Sequence, residues 1–157
     1  MKIVVIGLGQ SLRGDDAAGL AAVRRWQERH PETATRPEVR VELAELPGLG
    51  LMDLIEGAQA AVIIDAVQSG APPGTLRRLG PDDLAAFTPG AGSAHGWGAA
   101  ETLQLGRRLS PSLADCRITL IGIEAGQVEM GARLSPQVEQ ALAGAVEMIE
   151  EGVQAWL

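Results

Sequence analysis

Three stretches of this 157-residue chain, KIVVIG (2 to 7), AAVIIDA (60 to 66) and RITLIGI (117 to 123), are almost unbroken runs of apolar residues. A strand with one face in water alternates apolar and polar side chains. An unbroken run implies burial on both faces, the condition of central strands in a parallel sheet covered by helices. Two weaker runs, VRVEL (39 to 43) and TLRRL (75 to 79), read as outer strands. Helical periodicity marks 15 to 30, 48 to 57, 96 to 109 and 135 to 157. This alternation predicts a three-layer α/β fold: an open, twisted, five-stranded, mostly parallel sheet with helices on both faces. One link breaks the pattern. The seven residues VQSGAPP between the third and fourth strands are too few for a parallel crossover, so TLRRL is expected as an antiparallel edge strand. No repeat or linker interrupts the chain, and 46% hydrophobic content suffices for one core, so residues 1 to 157 are expected to form a single domain.

Charge narrows the function. A net charge of −7 with no basic tract argues against nucleic acid or an anionic membrane surface as a partner. The N-terminal apolar run is about five residues and enters a glycine turn, so it reads as a strand and not as a secretory segment; no segment approaches the roughly 20 apolar residues of a membrane span. The lone Cys116 can form neither an intramolecular disulfide nor a cysteine-rich zinc site, which fits a reducing cytoplasm.

The turn after the first strand reads GLGQSLRGDDAAG, residues 7 to 19. Gly7 and Gly9 match the start of the dinucleotide fingerprint, but Leu12 stands where its third glycine belongs, and Asp15 and Asp16 bring negative charge to a helix start that would otherwise attract phosphate. In a doubly wound sheet, ligands bind beyond the carboxyl ends of the strands where strand order reverses, here between strands one and three. That places Asp16, one turn of loop after strand one, opposite Asp65, which closes the run AVIID. His95, in the glycine-rich loop 87 to 98, is expected over the same edge. Two carboxylates and an imidazole suit a divalent first-row metal such as Zn²⁺, Ni²⁺, Mn²⁺ or Fe²⁺ and leave coordination positions open.

Each residue has a plainer reading. Asp15 reads as an N-cap of the first helix, and Asp16 alone could be a second acid complementing its dipole. A carboxylate ending a buried strand, such as Asp65, needs partners to offset its desolvation. Glu124, at the end of strand five, is a weaker candidate or a solvent-facing side chain; His30, before Pro31, reads as a structural helix end. Ser93 lacks the G-x-S-x-G elbow of an exposed serine nucleophile, and Cys116 reads as a small apolar or semi-exposed residue. A paired-aspartate mechanism through Asp16 and Asp65 is a further possibility.

The same residues resemble the hydrogenase maturation endopeptidases, which trim the C-terminus of the large subunit of nickel–iron hydrogenases. That family opens with a strand and G-x-G-N-x-L-x-x-D-[DE]-x-x-G, in register with GLGQSLRGDDAAG, and the likeness continues at VIIDAV, SAHGWG, ITLIGIEAG and LSPQVEQAL, from residue 1 to about 150. The resemblance implies that Asp16, Asp65 and His95 contact a metal and serve catalysis. It also implies that the enzyme keeps no permanently bound cofactor: the nickel is supplied by the substrate, the hydrogenase large-subunit precursor, although Zn or Cd could occupy the site in vitro. A cytoplasmic, monomeric protein is expected. Gln10 replaces the family's usual asparagine, and AELPG (44 to 48) stands where many members have D-G-G-T, a change bearing on hydrogenase subtype. The rival readings are a flavodoxin-like nucleotide- or flavin-binding protein and a nickel-handling accessory protein without peptidase activity.

Overall fold

The computed structural model describes residues 2–45, 48–85, 98–109, 113 and 115–157. Five strands form one sheet: β1 (Ile3–Leu8), β2 (Val39–Ala44), β3 (Ala60–Val67), β4 (Leu76–Leu79) and β5 (Arg117–Glu124), in the order β2-β1-β3-β5-β4. The three apolar runs are the three central strands. All neighbours pair in parallel except β4, which runs antiparallel to β5 with Leu76 opposite Ile123. The short link after β3 reverses the chain direction but carries β4 past one strand position, so that it pairs with β5 and not with β3.

Helices α1 (Ala18–Arg29), α2 (Pro31–Ala34), α3 (Leu51–Ile55), α4 (Pro81–Ala85), α5 (Gly98–Leu109) and α6 (Pro136–Gln154) surround the sheet. Because side chains alternate along a strand, β1 sends Ile3 and Val5 to one core and Val4, Ile6 and Leu8 to the other. The first core lies under α1 and α6 and includes Trp26, Ile64, Leu142 and Ile149; the second lies under α3 and α5 and includes Leu51, Ile55, Ile63 and Leu103. Fully burying each such side chain contributes about 1.5–3 kcal/mol. The polar edge of Trp26 is satisfied as well: its indole N–H donates to Glu150 Oε2 at 2.8 Å. Helix α1 lies so close to the sheet that a Cβ on Gly19 would stand 2.4 Å from the Ile64 carbonyl and 2.5 Å from that of Leu8. Only glycine permits that approach.

The periodicity did not reveal α2 and α4. Both start on proline, whose fixed φ and missing N–H suit a first helical position, and at α4 the Asp83 carboxylate accepts the Gly80 amide at 2.8 Å, half of a capping box. The first helix also enters differently from expectation. A 3-10 turn at Gly14–Ala17 carries the acidic pair, and the α-helix begins only at Ala18. Among the described residues, no helix is long and apolar enough to cross a membrane.

Candidate functional site

The chain leaves β1 in two directions, to β2 on one side and eventually to β3 on the other, so the strand order reverses between β1 and β3. Loops departing in opposite directions leave a crevice there. Gly9 makes the first bend, with φ +146° and its N–H donated to the Ala44 carbonyl at 3.2 Å; a Cβ on Gly9 would fall 1.9 Å from the Asp16 carbonyl oxygen. The turn therefore folds Asp16 back over the end of β1. The Asp16 amide donates to the Arg13 carbonyl at 3.0 Å, and its Oδ2 accepts the Gln10 amide at 3.1 Å. That second contact uses the backbone of residue 10, so the replacement of asparagine by glutamine leaves it intact.

Asp65 comes from the other side, near the end of β3, paired with Gly122 of β5. Asp16 and Asp65 line two adjoining cavities of about 220 and 290 Å³, one walled by Leu8, Leu51 and Thr102 and the other by Arg13, Gln68 and Val128. Gln10 and Gly98, the first residue of α5, border both. Burial pushes the Asp65 carboxyl up to about 7, the Asp16 charge adds to the effect, and a hydrogen bond from the Ala66 amide opposes it. No described cation forms an ion pair with either carboxylate. The Arg13 guanidinium lines the same crevice but is hydrogen-bonded to the Val128 carbonyl and not ion-paired with either acid, so two acids sharing the crevice fit a divalent cation as a partner, because a cation between two oxygen donors relieves their mutual repulsion. Among the described residues no third His, Cys, Asp or Glu completes a cluster with them. His95 and Ser93 lie outside the described residues.

Two acidic residues depart from expectation. Asp15 does not cap the first helix: it is fully buried, and its carboxylate accepts the amides of Gly126, Gln127 and Ser135 and the Ser135 hydroxyl. Burial raises its pKa, and these hydrogen bonds outweigh the rise and hold the group below the ordinary value. Ser135 is the residue before α6, so the carboxylate does complement a helix N-terminus, at the opposite end of the chain from the one its sequence position suggests. Glu124 is not solvent-facing either; it is 2% exposed and accepts the Ser69 amide at 2.9 Å. A residue the sequence did not single out, Glu45 of AELPG, accepts the Ser11 amide at 2.7 Å and its hydroxyl at 2.9 Å, tying the exit of β2 to the glycine turn.

The remaining candidates fall away from the crevice. His30 closes the far end of α1, about 18 Å along the helix at its normal rise, where it faces Glu147 and Glu150. Cys116 is buried, not semi-exposed, and its thiol is pushed up to about 11, first by burial, with Arg107 opposing. A thiol so protonated is a poor nucleophile.

The fold and crevice define a doubly wound α/β protein with an acidic site at its switch point. The chain belongs to the hydrogenase maturation protease family, whose model matches residues 32–152. It is 30% identical to the hydrogenase expression/formation protein HupD of Rhodobacter capsulatus, over 99% of this chain and 72% of that protein. It is 28% identical to the hydrogenase 2 maturation protease of Escherichia coli K12, over 99% of this chain and 95% of that one. The solved structure of the [NiFe] hydrogenase maturation protease HybD from Thermococcus kodakarensis superposes with a TM-score of 0.71 at 29% identity, covering 96% of this chain and 98% of that one.

Proposed function

We propose that this chain is the endopeptidase that removes the C-terminal extension of a nickel–iron hydrogenase large-subunit precursor once nickel has been inserted. Membership of the maturation protease family supports the reaction class. The crevice supports the mode of recognition: Asp16 and Asp65 lie together at the switch point with no ion-pair partner among the described residues, and a metal carried by the substrate would supply that positive charge. In this reading Asp16, Asp65 and His95 contact the nickel, and Cys116, buried and protonated, takes no part. The chain needs no resident metal, because the metal arrives with the bond to be cut; docking then places the scissile peptide beside the carboxylates and converts positioning into rate. A nucleotide or flavin phosphate finds two carboxylates where it would need donors, which speaks against the flavodoxin-like reading. We place the reaction in the cytoplasm, acting on one precursor per monomer.

The test is to mix the protein with precursor from nickel-replete and nickel-starved cells and follow the C-terminal extension by mass spectrometry. Cleavage confined to the nickel-loaded precursor is expected. Equal cleavage of both, or digestion of casein, would show that the metal is not what the crevice recognises; nickel binding without any cleavage would favour the accessory-protein role.

A further inference from the structure

Asp15 is buried beside the crevice, and no step of the proposed reaction uses it. The bonds of its amide and its carboxylate all reach one segment. The Asp15 amide donates to the Gln127 carbonyl at 2.7 Å; Oδ2 accepts Gly126 N at 2.7 Å, Gln127 N at 2.9 Å and Ser135 Oγ at 2.8 Å; Oδ1 accepts Ser135 N at 2.6 Å. Two neighbours reinforce the joint: Gly131 N donates to the Leu12 carbonyl at 2.8 Å, and Arg13 Nε to that of Val128 at 3.2 Å. The turn and the segment from 126 to 135 are thus one wall of the crevice.

The next residue in the chain is Asp16, which shares its crevice with a like charge. Two carboxylates free to move would relax by swinging apart. With residue 15 held through both main chain and side chain, the peptide leading to Asp16 cannot rotate, and the Asp16 carboxylate keeps its bond to the Gln10 amide. We propose that Asp15 is the positioning residue for Asp16, fastening the turn to the 126–135 segment so that the Asp16 carboxylate stays beside Asp65 and open to a divalent cation. The proposal rests on the reading of Asp16 and Asp65 as metal contacts.

The experiment uses the full chain and the variants Asp15→Asn, Ser135→Ala, Asp16→Asn and Asp15→Asn/Asp16→Asn, well below their melting temperatures. Amide hydrogen exchange followed by NMR reports the Gln10 bond, and calorimetric titration with Cd²⁺ reports the site. In Asp15→Asn the Gln10 amide should lose protection while the amides of β1 and β3 keep theirs, and Cd²⁺ affinity should fall roughly 10- to 100-fold, the range for groups that orient ligands. Ser135→Ala, which removes one of the bonds, should show the same changes at smaller size and carries the decision if Asp15→Asn fails to fold. In the Asp16→Asn background, Asp15→Asn should cost no further affinity, because it acts through Asp16. Unchanged Gln10 protection in Asp15→Asn, or equal affinity losses in the presence and absence of Asp16, would overturn the proposal. A parent protein that binds no Cd²⁺ would count against the metal-recognition reading, and Gln10 protection would still decide whether Asp15 positions its neighbour.

Discussion

The carboxylate of Glu124 accepts both the amide and the hydroxyl of Ser69, joining the exits of β5 and β3 across 55 residues of sequence. The bond fixes the loop that carries Gln68 into the crevice wall. Glu124→Gln puts an amide NH₂ against donors and should destabilise the protein by about 1.5–3 kcal/mol, the range for a buried hydrogen bond to a charged group; Ser69→Ala leaves the backbone bond in place and should cost about 1 kcal/mol. Urea unfolding of both variants checks the ranking. Equal, negligible losses would mean the bond is not formed.

Asp65 makes a pH prediction. Its folded pKa of about 7 lies above the ordinary value of 3.8, so between those limits the native state binds more protons than the unfolded chain. Stability contributed by this group therefore falls as pH rises through that window and levels off above it. Asp65→Asn removes the dependence. In metal-free buffer the variant should be more stable than the parent near about pH 8, with the difference shrinking toward about pH 4. A difference that grows on acidification would reverse the sign and refute the assignment.

Gly19 and Gly50 should respond in opposite ways to alanine. At Gly19 the new methyl meets two strand carbonyls within 2.5 Å, and backbone cannot move aside cheaply. A loss of about 3 kcal/mol or more is expected, at the upper end for overpacking. Gly50 has φ −61°, and none of the described residues would stand within 4 Å of a Cβ there, so Gly50→Ala should be neutral or stabilise by up to about 1 kcal/mol. Thermal melts of the two variants suffice as the check.

Cys116 should react slowly with iodoacetamide in the native protein and rapidly in urea, because its thiol is both buried and held protonated. Precursor processing should survive alkylation under native conditions and the Cys116→Ala substitution. Loss of processing in Cys116→Ala without loss of folding would put the thiol in the reaction.

The strands were legible because the physics that selects them is local in sequence: a strand covered on both faces must be apolar at every position, and Val4, Val5, Ile63, Ile64, Leu120 and Ile121 write that requirement directly. The antiparallel return of β4 followed from the length of one link, and the meeting of Asp16 with Asp65 from their places at the ends of β1 and β3. A rule about where a strand ends is enough to put two residues in one crevice. The helix boundaries were less legible, since the 3-10 turn at Gly14–Ala17 and the single turns α2 and α4 are too short to show a period.

The fates of Asp15, Glu124 and Glu45 depended on the tertiary structure. Glu45 stays exposed and meets its donor 34 residues back in the chain; Asp15 and Glu124 each carry a short-range explanation in the sequence, a helix cap or a solvated end, yet both are buried and their side-chain donors lie 55 to 120 residues away. A buried carboxylate and an exposed one are the same letter, and only packing that removes water decides which it is, because desolvation obliges the group to find donors wherever the fold has brought them. So the sequence by itself determined the sheet, its order of burial and the pair of acids at its edge. The tertiary structure decided which other acids hold that edge in shape, since the bonds that do so exist only after strands far apart in the chain have been laid side by side.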